Sequence, residues 1–199
     1  MSWTFIVVQI LFWIALSTWF GAVLFVAVAP RIIQKTVRES NPILPTVLSV
    51  NLEGQHGTLL AGTVVAALTL PLQKLELVCS GLLLLAIIGQ WVVLAPTGSS
   101  TVLPIMRTAM YFAATVLLIY DWRVVWPRIL SFRQQYLDHV DEPEVANPAL
   151  DQYEKFQRES EMILQFIMGL LIGLILFSAS MTYTWTIPGA PSGTHAQAQ

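Results

Sequence analysis

The chain has 199 residues, of which 55% are hydrophobic and 11% charged, against roughly 25% charged in an ordinary soluble domain. So few charges cannot wet a globular surface, and a formal net charge of −2 leaves no basic excess with which to bind nucleic acid. Cys79 is the sole cysteine and His56, His139 and His195 are the sole histidines, so no intramolecular disulfide forms and neither a metal nor another cofactor is expected.

A hydrocarbon core about 30 Å thick needs on the order of 20 mostly apolar helical residues. Windows of that kind fall at about 3–29, 56–72, 77–95, 107–126 and 162–185, which predicts an all-α transmembrane bundle of four to five spanning helices. The first window carries no charge and ends in Ala27-Val28-Ala29, the small-x-small form of a signal-peptide cleavage site. No basic residue precedes it, and Pro30 would follow the cut, so a retained helix is expected. The second is short, is entered through polar Gln55 and His56, and is closed by Pro71. The third is interrupted only by Ser80 and Gln90; the fourth follows Arg107 and runs past Asp121 and Arg123 to Trp126. Pro30, Pro42, Pro45, Pro96, Pro104, Pro127, Pro143, Pro148 and Pro188 are read as lying at or outside helix edges, where they remove no needed hydrogen bond. Trp3, Trp19, Trp91, Trp122, Trp126 and Trp185 fall near segment ends, as interfacial anchors do.

Outside the spans, residues 31–53 carry three basic residues and then an apolar run, which suits a helix at the interface or one continuing into the second span. Residues 128–161 hold most of the acidic side chains. Ile129, Phe132, Tyr136 and Val140 recur at helical spacing, and Asn147-Pro148 reads as a cap and first-turn proline before Leu150, Tyr153 and Phe156. An extramembrane helical hairpin broken between Asp141 and Asn147 is the expectation. Residues 1–187 then form one transmembrane domain, and 188–199 a disordered tail.

Two topologies satisfy the charge pattern. Five crossings with the N-terminus inside place Lys74, Arg123, Arg128, Arg133, Lys155 and Arg158 in the cytoplasm, against Arg31, Lys35, Arg38 and Arg107 outside. If one segment between 57 and 95 does not cross, both basic regions share the cytoplasmic face and both termini lie outside.

Ionisable groups at membrane depth cost a few kcal/mol on insertion scales, so each is a candidate site. Asp121 and Arg123 point to different sides of their helix, and Asp121 is expected to meet a cation from elsewhere, Arg107 or Arg158. Glu53, Gln55 and His56 cluster at the mouth of the second span. Gln9, Gln90 and Gln165 are expected to hydrogen-bond across helices. Small residues four apart, at Ser17/Gly21, Gly57/Ala61, Gly62/Ala66 and Gly169/Gly173, permit close helix approach, with the last pair also suited to a second copy of the chain or another membrane subunit.

Trp19-Phe20-Gly21 with Ala29-Pro30-Arg31, Asp121-Trp122-Arg123 with Trp126-Pro127-Arg128, and Phe156-Gln157-Arg158-Glu159-Ser160 before the last span form a further pattern. It resembles the animal transmembrane protein 205 family and its bacterial relatives, small four-helix membrane proteins without a settled activity. The resemblance covers roughly the first 30 residues and 107–177; family members often carry a histidine where this chain has Arg158 or Glu159, and segment 77–95 looks additional. No Walker loop, GxGxxG, GxSxG, HExxH or CxxC occurs. The expectation is therefore a non-enzymatic, multi-pass component of a bacterial plasma membrane, surrounded by lipid and serving a membrane assembly. The alternative is a small transporter or proton-coupled carrier using Asp121 and His56.

Overall fold

The computed structural model describes residues 3–40, 56–94, 102–139 and 142–185, and every element among them is helical. In chain order these are α1 (Trp3–Ser40), α2 (His56–Leu94), α3 (Val102–Tyr120), a π-helical turn (Asp121–Val125), α4 (Trp126–Asp138) and α5 (Pro143–Trp185). The bundle is all-α, as composition implied, with four helices long and apolar enough to cross a membrane.

The windows 56–72 and 77–95 are not separate segments. They fuse into the 39 residues of α2, because the linking Gln73-Lys74-Leu75-Glu76 consists of good helix formers with no breaker among them. Prolines also fail to end helices here: Pro30 lies inside α1, Pro71 inside α2 and Pro148 inside α5. A helix packed among others tolerates the lost hydrogen bond by local adjustment. The hairpin is present, yet its second arm begins at Pro143, four residues before the expected cap at Asn147. Pro143 takes the first helical position, where an amide hydrogen is not needed, and the Glu142 carbonyl accepts from the Val145 and Ala146 amides.

At 1.5 Å per residue, α1, α2 and α5 are each about 57–65 Å long, roughly twice the hydrocarbon thickness. Residues 102–138 also run on without a break, because Pro127 is accommodated by widening the turn before it. The Trp126 amide donates to the Asp121 carbonyl, five residues back, which relieves the clash a proline ring makes with an α-helical carbonyl.

Neighbouring helices are antiparallel. Gly89 near the end of α2 lies against Val8 near the start of α1, at 3.3 Å from a Cβ built on the glycine. Gly173 of α5 meets Met110 of α3, while Tyr120 further along α3 donates to Glu159 at 2.9 Å. One end of the bundle therefore gathers the starts of α1 and α3 and the ends of α2 and α5; we call it the terminal end. The other, the hairpin end, gathers the end of α1, the start of α2, α4 and the start of α5.

Phe12, Leu16, Trp19, Val23, Leu83, Ile87, Tyr111, Leu118, Ile167, Leu171 and Leu174 form the core. Ile10, Ile14, Val78, Leu85, Val92, Val116, Phe166 and Leu176 point outward instead. Such a continuous apolar exterior suits lipid and not water, so the architecture is that of a multi-pass membrane protein. The GxxxG pair is divided: Gly173 receives the Met110 sulfur at 3.0 Å from a built Cβ, whereas Gly169 has nothing within 4 Å. Ser17 and Gly21 likewise face outward, and the Ser17 hydroxyl donates to the Trp13 carbonyl of its own helix at 2.7 Å. Gly62 sits under the Arg133 side chain, and Ala66 packs against the core.

Candidate functional site

A polar stripe runs along α2. Thr69, Gln73, Glu76, Ser80 and Gln90 are all buried, and their spacing, alternating three and four over the first four, keeps them on one helix face. Several polar pairs join α2 to α3. Ser80 bonds Tyr111 at 3.3 Å and Thr115 at 3.1 Å, the Tyr111 hydroxyl donates to the Ser80 carbonyl at 2.9 Å, and the Trp91 indole donates to Thr108 at 3.1 Å. Gln90 donates to Gln9 of α1 at 2.9 Å, which meets the expectation for those two amides. Gln165 is exposed and lines a cavity instead.

The stripe's acidic member is Glu76, 1% exposed, with neither carboxyl oxygen hydrogen-bonded. One turn towards the hairpin end, Gln73 donates to the Asp121 carboxyl at 3.2 Å. Asp121 is the first residue of the π-helical turn and is 3% exposed. Ser160 of α5 stands beside it, and Glu76 and Asp121 lie within electrostatic reach of each other. Both Glu76 oxygens, Oδ1 of Asp121 and Oε1 of Gln73 are buried acceptors without a hydrogen-bond donor. Native interiors leave few such atoms unsatisfied, and each needs an explanation.

Beside this cluster, towards the hairpin end, lies a cavity of about 90 Å³. A water occupies on the order of 10–15 Å³ by this measure, so the space holds several. Val65, Ala66, Trp126 and Ile129 line one side; Thr69, Arg133, Gln157 and Ser160 supply polar groups. Ser160 both lines the cavity and adjoins Asp121, so one side chain separates the cavity from that carboxyl. Arg133 is anchored to α2 by a 2.8 Å bond to Thr63.

Other expectations about the site are revised. Asp121 meets neither Arg107 nor Arg158: Arg158 pairs with Glu154 at 3.4 Å on its own helix, and Arg107 lies at the terminal end, its guanidinium 5.2 Å from the Phe12 ring centre. The reason is register, because the antiparallel packing of α3 on α5 and α2 brings Gln73 and Ser160 to the level of Asp121. Arg123 is exposed and stacks over Trp122 at 4.6 Å, apart from Asp121 as its helical position implied. Glu53 and Gln55 lie outside the described residues, as does the His56 side chain. Among the described residues no group of three or more His, Cys, Asp or Glu could hold a metal ion.

Glu76 was hidden by the division of α2 into two segments, which placed it in a connecting loop. The recurrence of Thr69, Gln73, Glu76, Ser80, Leu83, Ile87 and Gln90 at helical spacing is the signal that reveals one continuous face. Comparison with known protein families, with curated proteins and with solved structures returns no match for this chain.

Proposed function

We propose that the protein is a small proton-coupled carrier of the plasma membrane, and that Glu76 and Asp121 form its proton-binding site. The observation that carries this reading is the excess of buried acceptors over donors around Glu76. Gln73 and Ser160 serve the Asp121 carboxyl, yet four acceptor oxygens still lack a donor, which calls for something electropositive between them; a proton shared by the two carboxyls supplies it. Ionisable residues in a membrane bundle face its interior where they serve a proton or ion pathway. The neighbouring cavity offers water from the hairpin end. The accessory role expected from the sequence rested on absent motifs and on sparse polarity within the spans, and the stripe on α2 weakens the second of these.

Orientation belongs to the same proposal. Arg31, Lys35, Arg38, Arg128, Arg133, Lys155 and Arg158 lie on elements at the hairpin end, whereas Arg107 alone lies near the terminal end. A cytoplasmic hairpin face, with both termini outside, follows from the preference of basic residues for the cytoplasm. Four helices also accord with the resemblance to the transmembrane protein 205 family.

The test is purified protein in proteoliposomes loaded with a pH-sensitive dye, under an imposed pH gradient and membrane potential. Glu76→Gln is expected to abolish proton movement and Asp121→Asn to reduce it at least about tenfold. Arg158→Gln, outside the site, leaves it unchanged. Equal flux in wild type and Glu76→Gln refutes the assignment and returns the chain to an accessory role.

A further inference from the structure

We propose that Arg107 is an electrostatic barrier that shuts the terminal half of the bundle to protons, so that the conformation described admits them from the hairpin end alone. This rests on the carrier reading above. In the terminal half, residues 3–17 of α1, 81–94 of α2, 102–120 of α3 and 162–185 of α5 contain one charged side chain between them, Arg107. It is 4% exposed, and its Nε and Nη2 have no hydrogen-bond partner among the described residues. No carboxylate in those stretches neutralises it, and a guanidinium keeps its charge.

Its position matters as much as its sign. Starting at Glu76, polar side chains recur towards the terminal end in separate groups: Ser80 with Tyr111 and Thr115, then Trp91 with Thr108, and Gln90 with Gln9. Arg107 is one helical turn from Tyr111 on the same face of α3, and both are buried. A fixed positive charge thus stands one turn beyond Tyr111, inside the bundle and on the terminal side of the acidic pair. The Phe12 ring under the guanidinium holds it in place without offering a counter-charge. Fixed arginines are a known means of excluding protons and cations from a polar pore.

Two measurements test this. Under an imposed potential, proteoliposomes bearing Arg107→Gln are expected to leak protons about tenfold faster than wild type, because the repulsion is gone. Arg107→Lys keeps the charge and keeps the leak near the wild-type level, and adding Glu76→Gln to Arg107→Gln removes the leak. A folded Arg107→Gln protein that leaks no faster than wild type, or whose leak survives Glu76→Gln, overturns the proposal. The second measurement leaves the arginine intact. With Thr108→Cys in a Cys79→Ser background, an anionic methanethiosulfonate reagent should react at least about tenfold faster than a cationic one; equal rates overturn the barrier. Failure of the carrier reading shows separately, as wild-type flux indifferent to Glu76→Gln.

Discussion

Replacing Glu76 by methionine should make the protein more stable while ending its proton movement. Both Glu76 oxygens are buried without partners, and a buried polar group left unsatisfied costs about 1–3 kcal/mol. Methionine is similar in length, unbranched and flexible, so it fills the same volume, and such volume-conserving exchanges cost under about 1.5 kcal/mol. The balance is a net gain of about 1 kcal/mol, which raises the melting temperature by about 2–4 °C in a domain of this size. Thermal unfolding in detergent, followed by circular dichroism, reads this directly, with the flux assay run on the same preparation. A functional group held in place against stability behaves in this way. Should Glu76→Met lower stability by about 1 kcal/mol or more, one of the protein's own donors satisfies the Glu76 oxygens, and the argument from unsatisfied acceptors fails.

Other consequences concern packing and topology. Gly173→Val pushes a side chain into the Met110 sulfur, 3.0 Å from a built Cβ, and should cost about 1–3 kcal/mol of thermal stability; Gly169→Val meets nothing and should stay within about 0.5 kcal/mol of wild type. Tyr111→Phe removes the hydroxyl shared with Ser80 and should cost about 0.6 kcal/mol, and no more than about 1.7; a larger loss would mean that α2 and α3 depend on this bond far more than on their other contacts. In a Cys79→Ser background, single cysteines at Ser40 and Asn147 should label from one side of the membrane and a cysteine at Thr97 from the other. Labelling of positions 40 and 147 from opposite sides would contradict the four-helix arrangement.

Membrane residence was legible in the sequence because hydropathy is a local property: a run such as residues 3–29 is expensive to leave in water whatever it packs against. The hairpin was legible too, since Ile129, Phe132, Tyr136 and Val140 recur at helical spacing in one arm and Leu150, Tyr153 and Phe156 follow Asn147-Pro148 in the other, and in the structure Phe132 and Phe156 stack at 5.7 Å. The continuity of α2 was not, because three polar residues, Gln73, Lys74 and Glu76, between apolar windows look the same as a loop until a neighbouring helix is there to receive them. Partner choice was equally hidden. Asp121 was expected to find an arginine, yet helix register sets Gln73 and Ser160 beside it and leaves Arg107 at the other end of the bundle. Only the tertiary structure decides whether Gly169 or Gly173 faces inward, and whether Glu76 meets a partner, lipid or an empty acceptor cluster. The rotation of each helix about its axis depends on contacts between residues far apart in the chain.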